Sequence, residues 1–305
     1  MKWEKLGLVY GPDGSSSWAK HSALQPTPVA LSDRIRVFCG FRDDDGVSRA
    51  GYVDVAKDDP TTVLGVSEDP VLDVGDFGTF DQHGVVPCAV VDTEDELRMY
   101  YAGYLRGAKV RFQAFCGLAI SRDCGASFSR YSQVPILDRT PAEALFRAIH
   151  SVLRENGVWR IWYGGGSEFV SGKSKTLPVY NIRYMESEDG IHFPDFGDVA
   201  VDISPGEHRV GRPYVINQAG KYRMFFGKGS EARAYQLAYA ESDDGYSWIR
   251  KDDELGLSFS ETEWDSEMMA YPAVISSSGH TYMFYNGNNY GREGFGCAKL
   301  ISWEG

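Results

Sequence analysis

Three acidic residues occur in short motifs that could carry proton-transfer chemistry. Asp81 lies in the motif FDQHG, Glu267 in DSE and Asp43 in RDDDG. In a pair of carboxyl groups, one carboxylic acid can protonate a leaving oxygen while one carboxylate acts as nucleophile or activates water. We therefore predict Asp81 and Glu267 as a catalytic pair, with Asp43 in reserve. The alternative is that each carboxylate caps a turn or pairs with an arginine, since Asp-rich turns are ordinary hairpin chemistry.

Three arginines, Arg147, Arg209 and Arg212, could bind an anion. A planar guanidinium group donates two parallel hydrogen bonds to a carboxylate or a phosphate. These residues predict an anionic substrate, which would be an acidic sugar, a phosphorylated sugar, or phosphate as the attacking group. The alternative is a buried network in which the arginines neutralise the acidic residues above together with Asp265.

A repeated element must position these residues. A segment of alternating aromatic and apolar residues, closed by glycine, recurs five times along the chain, and the closing glycines are 60 to 63 residues apart. A fixed period of this length is typical of radial repeat architectures. The closing glycines are Gly40, Gly103, Gly164, Gly227 and Gly287.

Each repeat predicts four antiparallel strands. An apolar run precedes the glycine-closed segment, and in three repeats a serine–acid–glycine turn follows it. Glycine tolerates the positive φ that a tight hairpin turn requires. We therefore predict an all-β fold, a single five-bladed β-propeller of four-stranded antiparallel blades over residues 1–305. The predicted blades span about 18–72, 80–138, 144–201, 206–258, and 264–303 together with 1–10.

Two segments need separate interpretation. The fifth repeat lacks a last strand, and 3–10 resembles the strands that follow the turns elsewhere. We predict that this N-terminal strand joins blade five and closes the ring, which removes exposed sheet edges. Residues 141–154 contain a capping box and strong helix formers, which favour a helix in isolation. The repeat instead requires 149–153 to be the inner strand of blade three, so we expect at most a short helical turn before it.

Residues just before the predicted inner strands are rich in ionisable side chains. Propeller sites lie where these strands begin around the central channel. Charged groups there are costly to desolvate unless they pair with each other or with a ligand. Histidine can carry protons near neutral pH, and tyrosine can stack on sugar faces. Besides the three arginines, the predicted substrate-binding residues are His21, His83, His150, Asp265, Tyr271 and Asn288.

Charge and cysteine content exclude several classes of partner. Lysine and arginine total 31 against 43 acidic residues, and the net charge of −12 repels nucleic acid and anionic membrane surfaces. The N-terminus lacks the apolar stretch of a signal peptide, and no segment is apolar enough to span a membrane. The odd number of cysteines, without a C-x-x-C pair, predicts buried free thiols and a cytoplasmic location. Without a metal-binding motif or a glycine-rich phosphate loop, we predict no metal and no cofactor.

With the five-fold repeat established, the chain resembles the superfamily of five-bladed propeller glycosidases. That superfamily includes arabinanases, β-xylosidases, invertases, levansucrases and the related β-mannoside phosphorylases. The segments 264–272 and 285–296 are similar to those of bacterial propeller proteins associated with surface-polysaccharide gene clusters. The resemblance implies carbohydrate chemistry, and some relatives hold a calcium ion that Asp81 or His83 could join here. Residues 121–128 also resemble the Asp-box of sialidases, which is a turn motif.

The catalytic pattern of the furanosidase-type enzymes in that superfamily is not matched. Those enzymes carry an aspartate base at the first inner strand and a glutamate acid at the third, where this chain has QPTP at 25–28 and RAIHS at 147–151. We predict a glycan-active enzyme that cleaves or transfers a glycosyl group of a saccharide or sugar conjugate. Two alternatives stay open. One is a glycoside phosphorylase in which arginines and a histidine hold phosphate, and the other is a non-catalytic carbohydrate-binding or scaffold propeller.

Overall fold

Alternating aromatic and apolar residues form short strands along nearly the whole chain. The computed structural model describes residues 1–173 and 176–303. The first ten strands are β1 (Lys2–Tyr10), β2 (His21–Ala30), β3 (Ile35–Arg42), β4 (Ser48–Val55), β5 (Val63–Val66), β6 (Val85–Thr93), β7 (Glu96–Leu105), β8 (Gln113–Ser121), β9 (Ser129–Arg130) and β10 (Phe146–Glu155). The later strands are β11 (Val158–Ser171), β12 (Thr176–Ser187), β13 (Asp198–Val201), β14 (Glu207–Gln218), β15 (Lys221–Ser230), β16 (Gln236–Ser242), β17 (Ile249–Arg250), β18 (Ala270–Ser277), β19 (His280–Asn286) and β20 (Phe295–Ser302). The described helical segments are a 3-10 turn at Asp252–Glu254 and the short α1 at Asn288–Gly291.

The described strands associate in groups of four. Three sheets have the strand orders β2-β3-β4-β5, β6-β7-β8-β9 and β1-β20-β19-β18. A larger sheet contains two further groups, β10 to β13 and β14 to β17, joined by one parallel pair between Tyr180 and Arg209. The prediction of an all-β chain is confirmed.

One strand from each group lies beside a strand of the next group. These strands are β2, β6, β10, β14 and β18. In chain order, β2 contacts β6, β6 contacts β10, β10 contacts β14, β14 contacts β18, and β18 contacts β2. Residues at the starts of these strands are far apart in sequence but meet in one region of the molecule. This arrangement positions the candidate site.

Strand β7 shows how the alternating pattern builds the core. Leu97, Met99 and Tyr101 pack into one hydrophobic cluster, whereas Tyr100 between them packs into the neighbouring cluster with Trp159. Successive side chains of a strand point to opposite faces of its sheet. The strand is therefore buried on both faces, because its sheet packs between the group of β2 to β5 and the group of β10 to β13.

The N-terminal strand lies where the sequence predicts it. Strand β1 pairs antiparallel with β20, and the register runs from Lys2 opposite Ser302 to Tyr10 opposite Phe295. The Trp3 side chain is buried in the cluster that lies against β15 and β19. The first residues of the chain thus complete the sheet that contains its last strand.

The ambiguous segment forms the inner strand and no helical turn. Strand β10 includes residues 149–153, as the repeat requires, and residues 141–145 form an irregular turn. Thr140 and Glu143 exchange backbone hydrogen bonds of 3.4 and 3.1 Å. The Glu143 side chain turns inward to Arg147 and Arg183 instead of capping a helix, so not even a short helical turn forms.

The three serine–acid–glycine turns have the conformation that their sequence predicts. Their glycines, Gly125, Gly190 and Gly245, have φ values of 81°, 72° and 73°. In each turn the serine Oγ accepts a hydrogen bond of 2.8 or 2.9 Å from the glycine N–H. These local bonds fix the connection between the third and fourth strands of their groups.

The cysteines are all free, and four of them are buried. Cys124 is exposed, which corrects the expectation that all five thiols are buried. It lies within the turn between β8 and β9, where its φ is 58°. Of the helices in the described part of the chain, none is long and apolar enough to cross a membrane.

Candidate functional site

Asp81 is fully buried just before β6 and is held by three side chains. Its Oδ2 accepts hydrogen bonds from the Tyr101 hydroxyl at 2.9 Å and from Arg130 Nε at 2.8 Å. Its Oδ1 accepts a hydrogen bond from the Thr79 hydroxyl at 3.0 Å. These bonds tie the loop before β6 to the second and fourth strands of its group. The arginine-paired alternative for Asp81 therefore has direct geometric support.

Asp265 occupies a similar place before β18. Its Oδ2 accepts hydrogen bonds from Lys5 Nζ at 2.7 Å and from the Tyr285 hydroxyl at 2.9 Å. Burial opposes ionisation of this carboxyl, but hydrogen bonds from Lys5, Ser260 and Tyr285 outweigh it and lower its pKa. Asp265 thus joins the N-terminal strand to the last group of strands.

Glu143 is a third buried acid, and it is not among the predicted site residues. Its carboxylate lies 3.3 Å from Arg147 Nε and 3.6 Å from Arg183 Nε. Burial raises the pKa of Glu143, although Arg147, Tyr163 and Arg183 oppose the rise. Arg147 therefore already has an anionic partner within the chain.

One sequence signal connects these three acids. Asp81 precedes Tyr101 by 20 residues, and the same spacing separates Glu143 from Tyr163 and Asp265 from Tyr285. We call Asp81, Glu143 and Asp265 the anchor acids, because each connects the loop before a first strand to basic and tyrosine side chains of its own group. Their shared spacing would have identified Glu143 from the sequence.

The other two predicted catalytic residues differ in exposure, because Glu267 is exposed and Asp43 is partly buried. Glu267 is exposed, and the N–H groups of Glu267 and Met268 donate to Asn288 Oδ1 at 2.8 and 2.9 Å. Among the described residues, the Glu267 carboxylate has no hydrogen-bond or ion-pair partner. Asp43 accepts hydrogen bonds from Arg49 at 2.7 Å and from the Val47 N–H at 2.9 Å, as expected of a turn carboxylate. The contacts of Asp81 and Glu267 share no residue, so these contacts do not bring the predicted pair together.

The three predicted histidines lie in different environments. His21 Nδ1 is 2.8 Å from Ser22 Oγ, and burial together with Arg292 and Arg42 lowers its pKa. His83 accepts a long hydrogen bond of 3.4 Å from the Arg106 N–H. His150 is buried, and burial together with the charge of Arg212 holds its pKa well below the usual value. His150 is therefore a neutral imidazole at neutral pH.

Arg212 lies where several first strands meet. Its guanidinium group donates to Thr27 Oγ1 at 2.8 Å and to the His150 carbonyl at 3.3 Å, which joins β14 to β2 and β10. Arg212 is 3% exposed, and its Nε has no hydrogen-bond partner in the part of the chain that the structure describes. No carboxylate of the described residues pairs with it, and burial lowers its pKa. Arg212 is a buried positive charge whose neighbours are neutral.

Arg209 lies within a group of tyrosines. Its guanidinium carbon is 4.0 Å from the centroid of the Tyr235 ring, and its Nε also has no hydrogen-bond partner among the described residues. Burial would lower the pKa of Arg209, but Tyr235, Tyr180 and Tyr290 outweigh that effect and raise it. The Tyr235 ring lies 5.5 Å from the ring of Tyr271. Burial raises the pKa of Tyr271, and the charge of Arg209 opposes that rise.

We call Arg209, Arg212, His150, Tyr235 and Tyr271 the central cluster. The structure brings together four of the predicted substrate-binding residues in this cluster and adds Tyr235 from the loop between β15 and β16. The remaining predicted residues lie outside it. Those residues are His21, His83, Arg147, Asp265 and Asn288.

The backbone is strained where the central cluster forms. Arg212 and Tyr271 have φ values of 55° and 58°, and Gln25 at the matching place in β2 has a φ of 53°. Each precedes a proline and lies at an interruption of the strand register. Left-handed conformations of residues other than glycine cost on the order of 1–3 kcal/mol and concentrate at functional sites.

Comparison with known proteins identifies relatives along the whole chain. No protein-family model matches the chain. "Uncharacterized protein Rv1502" of Mycobacterium tuberculosis (strain ATCC 25618 / H37Rv) is 33% identical over 303 residues, covering 98% of this chain and 99% of the relative. "Uncharacterized protein MT1551" of Mycobacterium tuberculosis (strain CDC 1551 / Oshkosh) matches with the same identity and coverage. The chain belongs to the Rv1502 family.

Solved structures show the fold of this Rv1502 family member. A protein named glycoside hydrolase matches with a TM-score of 0.75 and 18% identity, covering 97% of this chain and 90% of that chain. A glycoside hydrolase of the GH130 family of mannoside phosphorylases matches with a TM-score of 0.71 and 14% identity, covering 98% and 93%. A thermostable family-43 glycoside hydrolase gives a TM-score of 0.69 at 16% identity, covering 93% and 90%. The predicted resemblance to the propeller glycosidases is confirmed at the level of the fold.

Proposed function

We propose that this chain is a glycan-active enzyme that cleaves or transfers a glycosyl group of an anionic saccharide bound at the central cluster. The observation that carries the proposal is the buried guanidinium group of Arg212, which no carboxylate of the described residues neutralises. The shared fold with glycoside hydrolases supports the carbohydrate class of the ligand.

Electrostatics explains why the ligand should be an anion. Removing a charged group from water costs on the order of several kcal/mol unless a counter-charge compensates for it. The anchor acids pair instead with Arg130, Lys5, Arg147 and Arg183. A carboxylate or phosphate of a ligand would supply the missing counter-charge for Arg212 and would accept hydrogen bonds from its planar group. Tyr271 and Tyr235 would provide rings for stacking on the sugar.

The proton-transfer role fits Glu267 better than Asp81. Asp81 has its oxygens engaged by three side chains, whereas the exposed Glu267 carboxylate has none among the described residues. We infer that Glu267 is the first candidate for the acid or base of glycosyl cleavage. Asp43 stays the reserve carboxylate, because its oxygens already accept hydrogen bonds from Arg49 and Val47. Burial and the charge of Arg212 disfavour protonation of His150, so we assign it a hydrogen-bonding role at the cluster and not a proton-transfer role.

Two further proposals concern the arrangement of the blades and the cellular location of the protein. We infer that the five groups of four strands are the blades of one propeller domain over 1–305, with β1 completing the ring. Residues 18–72, 80–138, 144–201 and 206–258 would be the first four blades, and 264–303 with 1–10 the fifth. The free cysteines support a reducing, cytoplasmic environment.

A second candidate is a carbohydrate-binding propeller without catalytic activity. The engagement of Asp81 and Asp265 in structural ion pairs favours it, because these carboxylates are then not available for proton transfer. Phosphorolysis is a variant of the first candidate, in which inorganic phosphate is the anion beside Arg212. Turnover that depends on phosphate distinguishes it from hydrolysis, and sugar binding without turnover indicates the second candidate.

The test compares Arg212→Lys and Arg209→Lys with wild type on a panel of neutral, acidic and phosphorylated oligosaccharides. Lysine keeps the charge but loses the planar pair of donors, so we expect Kd or KM for anionic ligands to rise about 10-fold or more with little change in Tm. Arg223→Lys is the matched control, because Arg223 also has an Nε without a partner but stacks on Trp303. Equal affinity of wild type for neutral and anionic sugars would overturn the proposal.

A further inference from the structure

A small apolar pocket lies beside the central cluster. Its lining comes from the loop between β7 and β8, the start of β8, the segment that leads into β10, and Phe169 of β11. Its volume is about 140 Å³. Arg139 and Gln113 are its polar lining residues. The large apolar residues of the lining are Val110, Phe112, Leu145, Phe146 and Phe169.

Two aromatic contacts connect this pocket to the region of the central cluster. The ring of Phe112 is 5.5 Å from that of Tyr104, and the ring of Phe146 is 5.2 Å from that of Tyr180. The hydroxyl of Tyr180 is hydrogen-bonded to that of Tyr235, which belongs to the cluster. The pocket is therefore one aromatic layer away from Arg209 and its tyrosines.

The size and lining of the pocket define what it can hold. An apolar protein cavity of about 150 Å³ stays dry and binds benzene, so a pocket of 140 Å³ matches one aromatic ring or a short alkyl group. A bare sugar ring would find hydrogen-bond partners at Arg139 and Gln113 alone in this lining, and its other hydroxyls would lie unpaired against phenylalanine and leucine side chains. An apolar substituent would instead gain free energy in proportion to the area that it buries.

We propose that this pocket binds an apolar substituent, an aromatic ring or a short alkyl group, carried by the anionic saccharide of the central cluster. The inference rests on the proposed function, because the saccharide must occupy the cluster for its substituent to reach the pocket. The substrate class is then an amphiphilic glycoconjugate, in which an anionic sugar and an apolar group are neighbours.

The experiment measures Kd by calorimetry for methyl and 4-nitrophenyl glycosides of glucuronic acid, galacturonic acid and glucose 6-phosphate. Benzyl alcohol, followed by NMR, is a probe of the pocket alone. The variant is Ala144→Phe, which fills the pocket from an exposed lining residue. The matched control is Ala142→Phe, because Ala142 is also exposed but does not line the pocket.

We expect at least one 4-nitrophenyl glycoside to bind about 10- to 100-fold more tightly than its methyl partner in wild type and in the control. Ala144→Phe should abolish this preference and the binding of benzyl alcohol while leaving the Kd of the methyl glycoside unchanged. Equal Kd values for the two glycosides overturn the pocket inference and leave the proposed function intact. Binding of benzyl alcohol without binding of any glycoside overturns the proposed function and, with it, the saccharide as carrier.

Discussion

The anchor acids and the central cluster place buried charges in opposite ways. Asp81, Glu143 and Asp265 each lie against basic side chains of the same group of strands. Arg209 and Arg212 are buried to a similar degree, but their neighbours are tyrosines, backbone carbonyls and a neutral histidine. A paired charge holds local structure together, whereas a buried charge without a counter-charge indicates a place for a ligand.

This contrast distinguishes two interpretations of the ionisable residues, structural ion pairing and ligand binding, which the sequence supports equally. Both sets of residues precede predicted inner strands, and both are rich in ionisable groups. Pairing occurs within one group of strands for the acids and across several groups for Arg212, which contacts β2 and β10 from β14. The acids therefore stabilise single groups, and the arginine lies where ligand binding would affect several of them.

The largest expected effect comes from removing β1. Deletion of residues 1–10 removes Lys5 from Asp265 and Trp3 from its buried position, and it leaves β20 as an exposed edge. We expect Tm to fall by more than about 10 °C, because several kcal/mol of packing and pairing are lost together. A thermal melt measures the change, and a synthetic peptide of residues 1–10 should restore part of it. An unchanged Tm would show that β1 contributes nothing to the anchoring described here.

Asp81→Asn should have the next largest effect. The amide leaves the buried Arg130 without its counter-charge, so we expect the free energy of unfolding to fall by about 3 kcal/mol, at the low end of the range for broken buried pairs because Arg130 is partly exposed. Glu267→Gln is the matched variant and should leave stability unchanged, because Glu267 is exposed.

Denaturant unfolding and turnover measured on both variants test the contrast. If Asp81→Asn unfolds like wild type but loses turnover by orders of magnitude, Asp81 is catalytic and not an anchor. Loss of turnover in Glu267→Gln alone, with normal stability, would support Glu267 as the proton-transfer residue.

The smallest expected effect concerns the turns, where acids are paired by local hydrogen bonds. Burial opposes ionisation of Asp123, but hydrogen bonds from Ser121 and Ser127 lower its pKa from 3.8 to about 2. Hydrogen bonds from the Ser247 and Tyr246 backbone lower the pKa of Asp244 to about 2. A carboxyl with a lowered folded pKa stabilises the protein above its unfolded pKa and loses that contribution as the pH falls through the folded value.

The double variant Asp123→Asn, Asp244→Asn should therefore show a flatter loss of stability between about pH 4 and pH 2 than wild type. Because both aspartates are largely exposed, the change should be less than about 1 kcal/mol. Urea unfolding at a series of pH values measures it. The control is Asp69→Asn, an exposed acid outside these turns. If the free energy of unfolding falls with pH in parallel for wild type and the double variant, the two turn aspartates do not contribute through lowered pKa values.

Local sequence patterns predict the elements of this fold well. Alternation and turn glycines identify the strands of each repeat, and the match between 3–10 and the fourth strands identifies the partner of β20. These features depend on neighbours in sequence. The segment 141–145 is different, because a good capping box loses to the inward ion pairs of Glu143, whose partner Arg183 is 40 residues away.

The candidate site could be predicted only in part for the same reason. Arg209, Arg212 and Tyr271 are recognisable because they precede the predicted inner strands, and the structure places them in the first part of β14 and β18. Tyr235 and Tyr180 come from other parts of the repeat, and only tertiary contact brings them to Arg209. The partners of Asp81, Tyr101 and Arg130, also lie in later strands. The sequence alone therefore supports a catalytic and a structural role for Asp81 equally.

The pairing of β1 with β20 also has a consequence for biosynthesis. Tyr10 pairs with Phe295, so the ribosome adds about 285 residues after the first strand before its partner exists. At roughly 5–20 residues per second, the first strand waits for about 15 to 60 s while the other groups of strands form. During that interval Trp3 has no β20 and no completed cluster to pack against. The protein can reach its full stability only after its last strand leaves the ribosome, so a chain truncated late in synthesis loses the anchor of its first strand as well as its last.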